Sequence, residues 1–257
     1  MTTAGDIYNY IDGFAPFYTA MDFDNVGLLV GSADDAVRTV LLSLDATPAV
    51  VREAAAVGAQ LVVTHHPVIF NPLKRLEPGT APYLLAQYGI AAICAHTNLD
   101  MAPGAGVNAC LAERLRLKSL LPLQVNEASG LPEAQMGETD KPYSAREFAL
   151  FVKQTLGCDG LRYTDGGRPV TKVGFCSGGG EDYLYAAMKA GCQAFVTGES
   201  KHHVLLDAEN AGITLVDAGH FYTENIVISS LLNRLVKRFP ELVFVQSKAM
   251  HSPAKYL

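Results

Sequence analysis

The chain has 257 residues, 49% of them hydrophobic and 18% charged, with 20 basic against 26 acidic side chains and a net charge of −6. This excludes a disordered chain, because the apolar content suffices for a buried core and no long block of charge occurs. It also argues against nucleic acid as a partner, since a sequence-independent binder carries a basic surplus. At about 150 residues per domain the length fits one large or two small domains. Five cysteines (Cys94, Cys110, Cys158, Cys176, Cys192) form no Cys-x-x-Cys pair, and four sit in apolar stretches. Buried, reduced thiols in an intracellular, cytoplasmic protein are expected. The start, MTTAGDIYNYIDGF, has no basic segment followed by an apolar run. The longest uncharged stretch, 78–99, is broken by Pro82, Gln87, Gly89, His96 and Asn98. Neither a signal peptide nor a membrane span is expected.

Helix and strand patterns alternate. VLLSLD (40–45) reads as a strand, and Thr47-Pro48 opens a helix that Gly58 closes. LVVT (61–64) is the next strand, Thr80 and Pro82 open a helix closed by Gly89, and IAAICA (90–95) is a strand. Residues 105–117 read as helix. Residues 122–143 are interrupted by Pro122, Ser129-Gly130, Pro132, Gly137 and Pro142 and read as a linker. Ser144 with Glu147 forms a capping box for a helix ending at Gly157. Strand 171–176, helix 181–190, strands 194–197 and 213–217, and a helix from about 223 to 238 follow. The alternation predicts an α/β fold with a largely buried, mostly parallel sheet. The expected division is a first lobe over 1–121, a linker over 122–143, and a second lobe over 144–257 whose last helix is free to pack back on the first.

The halves read as copies. VGAQLVVTHH (57–66) precedes AGCQAFVTGE (190–199) by 133 residues, and Gly58/Gly191, Gln60/Gln193, Val63/Val196 and Thr64/Thr197 are identical pairs. Duplication predicts two similar lobes with mixed sheets and a ligand cleft between them, beyond the carboxyl ends of strands.

Six of the seven histidines fall at or just beyond predicted strand ends. His65-His66 follow strand 61–64, and His96 follows strand 90–95 with Asp100 four residues on. His202-His203 follow strand 194–197 and the Gly198-Glu199 turn. His220 follows strand 213–217 with Glu224 four residues on, the spacing of two ligands on one helix face. Neighbouring side chains of extended backbone point to opposite sides, so His65 and His66 are expected to serve separate ions. A hydrogen-bonded structural pair is the competing reading. Taken together, three histidines and two carboxylates at converging strand ends make a ligand set for two ions, which would acidify water and attract an anionic substrate.

FDNVGLLVG (23–31), VVTHHPVIF (62–70), AHTNLD (95–100), TGESKHH (197–203) and DAGHFYTE (217–224) resemble the NIF-three-like family, often labelled GTP cyclohydrolase 1 type 2 homologs. The resemblance runs over nearly the whole chain in the expected order. It implies two partly intertwined α/β lobes in a toroidal homohexamer and a dinuclear metal centre on His65, His66, Asp100, His220 and Glu224. One departure is Phe23, where the family commonly has Trp.

Around these positions, His96 reads as a proton shuttle or as a structural histidine, and Asp45 is available to orient an imidazole. Glu199, at the place His66 holds in the first half, is the second catalytic candidate. His202 and His203 face a ligand or only solvent. Asp24-Asn25 reads first as a turn before strand 26–30, and the resemblance implies a structural role for it at the edge of the site rather than catalysis. Ser177-Gly178-Gly179-Gly180 reads as a tight turn or as a phosphate cradle. The function expected is a metal-dependent hydrolase using two divalent ions (zinc, iron or manganese) on a nucleotide-like or phosphorylated small molecule. The alternatives are a non-catalytic metal carrier or ring-shaped scaffold, and a nucleotide-binding module using the glycine run.

Overall fold

The computed structural model describes all 257 residues. The first helix, α1 (Ala4–Asp12), carries a capping box between Thr3 and Asp6. Then come β1 (Gly27–Val30), β2 (Thr39–Ser43), α2 (Pro48–Ala56), β3 (Leu61–Thr64), α3 (Ala81–Tyr88), β4 (Ala91–Cys94) and the single-turn α4 (Thr97–Asp100). Helix α2 starts where the sequence places it, with Thr47 accepting from the Val50 amide and Pro48 in the first turn. Helix α3 ends on Gly89, whose φ of 63° is the left-handed conformation glycine tolerates. The chain continues through α5 (Val107–Arg114), β5 (Lys118–Val125), β6 (Pro132–Tyr143), α6 (Ala145–Leu156), β7 (Arg162–Tyr163) and β8 (Val170–Phe175). It ends with α7 (Leu184–Lys189), β9 (Ala194–Thr197), α8 (His202–Asn210), β10 (Thr214–Asp217), α9 (His220–Glu224), α10 (Ile226–Arg238) and β11 (Val243–Gln246).

These elements form two compact units, Met1–Ala105 with Val227–His251, and Gly106–Ile226 with Ser252–Leu257. The fold is mixed α/β, with one sheet in each unit. In the first the order is β1-β4-β3-β2-β11, with only β1 antiparallel. In the second it is β5-β6-β8-β9-β10-β7, with β8, β9 and β10 parallel and the outer pairings antiparallel. Strands β3, β4, β9 and β10 are buried throughout, which is why they read as unbroken apolar runs. Leu41, Val50, Val51, Val62 and Leu85 pack a core of the first unit, and Phe148, Val152, Phe175, Val196 and Val216 one of the second.

The division differs from the one expected. Residues 118–125 and 132–143, which take in most of the stretch read as a linker, are a long hairpin on the second sheet. Gly137 does not break it: a Cβ there would lie 2.9 Å from the Lys118 carbonyl oxygen and from Leu120 Cδ2, so the glycine lets the strands close. The final helix and β11 belong to the first unit, where β11 adds a parallel strand beside β2. The helix expected at 223–238 is two helices, α9 and α10, meeting at Asn225.

Candidate metal centre

In the first unit the groups gather just past β3 and β4. The His66 amide still bonds to the Leu44 carbonyl at 2.9 Å, but Thr64 Oγ1 donates to the His66 carbonyl at 2.8 Å and turns the chain. This turn overrides the strand alternation. The His65 and His66 rings, expected on opposite sides, have centroids 5.0 Å apart. The His96 ring completes a triangle, 5.2 Å from His65 and 5.4 Å from His66. The three imidazoles present ligand atoms within 4.8 Å of one another.

Each ring commits Nδ1 to an oxygen. His65 Nδ1 lies 2.9 Å from the Ala95 carbonyl, His66 Nδ1 2.8 Å from Asp45 Oδ1, and His96 Nδ1 2.8 Å from Asp24 Oδ1. With oxygen acceptors at all three, Nδ1 carries the hydrogen and donates it, and the lone pair of the neutral ring is on Nε2, the tautomer a metal ligand needs. Asp45 thus orients His66, and Asp24 takes the corresponding place beside His96. Asp24 also accepts from the Thr97 amide at 3.0 Å and from its hydroxyl at 2.6 Å. Burial pushes the Asp24 carboxyl up, but the bonds from His96 and Thr97 outweigh it and hold it at about 2. Asp100, at the end of α4, sets Oδ1 3.4 Å from His65 Nε2. That is long for a charge-assisted hydrogen bond, and it matches the edge of about 3.3 Å between two ligands sharing a tetrahedral ion with bonds near 2.0–2.1 Å.

In the second unit the groups gather past β9 and β10. His220 opens α9, and Glu224 one turn on brings Oε2 2.8 Å from His220 Nε2. Glu199, in the turn after β9, holds His220 Nδ1 at 2.9 Å. Burial pushes the imidazole pKa down, but Glu224 and Glu199 together raise it to about 9. A divalent ion would suit this donor set as the proton does: Glu199 would keep Nδ1–H, and His220 Nε2 and Glu224 would be the residues to hold the ion. Glu224 is buried, yet the chain leaves room for it: a Cβ on Gly178 would lie 2.0 Å from Glu224 Oε1, and Gly178 has φ 58°.

This settles the glycine run. The Ser177 amide donates to Asn108 Oδ1 at 3.0 Å, and the Gly178 and Gly180 amides to the hydroxyls of Thr223 and Thr197 at 3.1 Å. Three of the four amides serve the protein, so the run is a tight turn that lodges Glu224 and not a phosphate cradle. His202 and His203 sit exposed in the first turn of α8. Cys94 is buried, its thiol pKa pushed up by that burial, and donates to the His65 carbonyl at 3.0 Å. The sequence reading put Asp24 at the edge of the site without naming its partner His96, and it missed the role of Gly178. A signal existed for each, a carboxylate just before β1 and a glycine at a strand end, but no local pattern names their partners.

Residues 2–253 match the family described as Duf34/NIF3 (NGG1p interacting factor 3). A GTP cyclohydrolase 1 type 2 homolog of Clostridium perfringens is 31% identical over 261 residues and covers 98% of each chain. Another, from Campylobacter jejuni, is 30% identical, covering 93% of this chain and 94% of its own. Among solved structures, a hypothetical protein of Staphylococcus aureus superposes with a TM-score of 0.92 at 28% identity, covering 100% of this chain and 99% of that one.

Proposed function

The chain belongs to the Duf34/NIF3 family, and from that premise we propose that it binds two divalent metal ions and acts as a metal-dependent hydrolase on a nucleotide-like or otherwise phosphorylated small molecule. One observation carries the reading. All four histidines concerned have Nδ1 against an oxygen, Ala95 O, Asp45, Asp24 and Glu199 respectively, which directs Nε2 to a metal at His65, His66 and His220 and to a proton at His96. Histidines retained only for packing have no need of so uniform an arrangement.

In this reading the metal ligands are His65, His66 and Asp100 in the first unit and His220 and Glu224 in the second. Zinc, iron and manganese all suit the set. Such ions supply Lewis acidity toward the substrate and lower the pKa of water. The chain's own residues do the rest. Asp45 and Glu199 hold His66 and His220 in the ligating tautomer. His96, anchored by Asp24, offers Nε2 to take a proton from the reacting water and return it to the leaving group. The homohexamer is what the sequence resemblance implies, the cysteines, present as thiols, favour the cytoplasm, and the 133-residue offset supports reading the two units as copies.

Metal content per chain, by plasma mass spectrometry on untagged protein purified without chelator, tests the reading. About two ions are expected, with loss of both metal and turnover on a nucleotide and phosphoester panel in Glu224→Ala. A content near zero after reconstitution with zinc, manganese and iron would sink it. A second reading, a non-catalytic metal carrier or scaffold, draws support from Glu199. That carboxylate is spent on His220, which leaves His96 as the proton-transfer group. Full metal occupancy, exchange of metal to an acceptor and no turnover on any substrate would favour the carrier.

A further inference from the structure

The second unit contains a cavity of about 540 Å³ beyond the carboxyl ends of β8, β9 and β10. The size suits a small ligand, and the place is where open parallel sheets bind one. Its lining includes Glu199, which holds His220 Nδ1, Gly219, the residue before His220, and Tyr256. Tyr256 is seated by Gly160, where a Cβ would lie 2.2 Å from the ring.

Two ion pairs line this cavity, and both are built alike. Arg162 binds the Asp217 carboxylate and also donates to the Ser200 carbonyl at 2.8 Å. Lys201 Nζ binds Glu181 Oε1 at 2.5 Å, and the Lys201 amide donates to the other Glu181 oxygen at 2.6 Å. In each pair the carboxylate lies beneath and the cation on top. The Asp217 and Glu181 side chains are 7% and 10% exposed, and those of Arg162 and Lys201 are 58% and 71% exposed. A ligand entering the cavity therefore meets the cationic heads. Arg162 spends only Nη2 on the protein, so the rest of its guanidinium fork is available, as are two of the three Lys201 protons. Four carboxylates line the cavity against two cations: Asp217 and Glu181 are taken by those cations, while Glu199, its side chain 64% exposed, holds His220 through Oε1. Asp182, exposed, is the carboxylate left over.

We propose that Arg162 and Lys201, each fixed by a buried carboxylate, form a recognition subsite for a phosphate group of the ligand. The proposal rests on the reading of the site as one for a phosphorylated molecule, and it separates recognition of that group from the residues offered as metal ligands. The planar fork and the compact ammonium together favour a tetrahedral oxyanion with several acceptor oxygens.

Isothermal titration of inorganic phosphate into the full chain tests this, once after chelator treatment and once loaded with metal. The chelated wild type is expected to bind phosphate. Arg162→Lys, which keeps a cation for Asp217 but removes the fork, and the exposed Lys201→Gln should each weaken binding, and together by about tenfold or more. Asp182→Asn should tighten it. Acetate, as the carboxylate arm, should bind less tightly than phosphate. No binding by the chelated wild type, equal affinity in the double variant, or tighter acetate than phosphate would overturn the proposal. Because the chelated arm needs no metal and no turnover, its outcome is independent of whether the hydrolase reading stands.

Discussion

Gln60 and Gln193, 133 residues apart, make the same hydrogen bonds. Gln60 Oε1 accepts from the Arg38 and Thr39 amides at 2.9 and 3.0 Å, and Gln193 Oε1 from the Thr171 and Lys172 amides at 3.3 and 2.8 Å. Each returns Nε2 to the glycine two residues earlier, Gly58 at 2.6 Å and Gly191 at 3.0 Å. Each thereby ties the turn before a central strand to the start of the neighbouring one. Replacement by alanine leaves two strand-entry amides without their acceptor. Gln60→Ala and Gln193→Ala should each cost about 1–2 kcal/mol in urea unfolding, since water can reach these half-buried turns and limit the loss. A cost confined to one of the two would show that the shared bonding is not a shared support.

Gly178→Ala should act on metal without replacing a ligand. The added methyl meets Glu224 Oε1 at 2.0 Å on a backbone at φ 58°. The carboxylate must swing away or the turn must reopen. Equilibrium dialysis should show metal affinity reduced by about tenfold or more, with a strain cost of about 1–2 kcal/mol in unfolding. Wild-type affinity in this variant would mean that Glu224 does not need the position it occupies.

Asp45→Asn preserves shape but removes the charge facing His66 Nδ1 at 2.8 Å. Loss of such an orienting carboxylate typically lowers metal affinity by about 10- to 100-fold. The same dialysis on Asp45→Asn, with unfolding near wild type, checks this. Unchanged affinity would argue that His66 is not a ligand.

Asp24 makes a pH prediction. Its folded-state pKa is depressed from 3.8 to about 2. A depressed carboxylate contributes stability that is fully present above its unfolded value and is lost as pH falls through the folded one. The window is therefore from about pH 4 down to about pH 2, and the contribution is on the order of 2 kcal/mol. Asp24→Asn should flatten the acid limb of the stability curve there. An identical limb in both proteins would mean that the buried carboxylate is not held ionised by His96 and Thr97.

The sequence exposed the parts of this molecule whose causes are local. Strands β3, β4, β9 and β10 are short apolar runs bounded by turn residues, so their ends, and the groups His65, His66, His96 and His220 just past them, could be placed. The helix-face spacing of His220 and Glu224 was likewise visible. What could not be placed depends on partners far along the chain. Asp24 meets His96 after 72 residues, and Gly178 makes room for Glu224 across 46. The hairpin of β5 and β6 was hidden because its apolar residues do not alternate against a core. Leu120 and Leu121 are adjacent and both exposed, so prolines and glycines dominated the pattern. The opposed rings expected of His65 and His66 assumed extended backbone past Thr64, but β3 ends there and Thr64 Oγ1 bonds to the His66 carbonyl in the bend that follows.

The parallel pairing of β11 with β2 has a consequence for biosynthesis. Strand β2 gains its outer neighbour only when residues 243–246 have left the ribosome, long after β2, β3 and β4 have emerged. Throughout translation of Gly106–Ile226 the first sheet waits with an open edge, lined by the unpaired backbone of Thr39–Ser43. A nascent chain stalled or cut before residue 243 would carry that edge permanently, ready to pair with any extended strand it meets, and is the species expected to engage chaperones or aggregate.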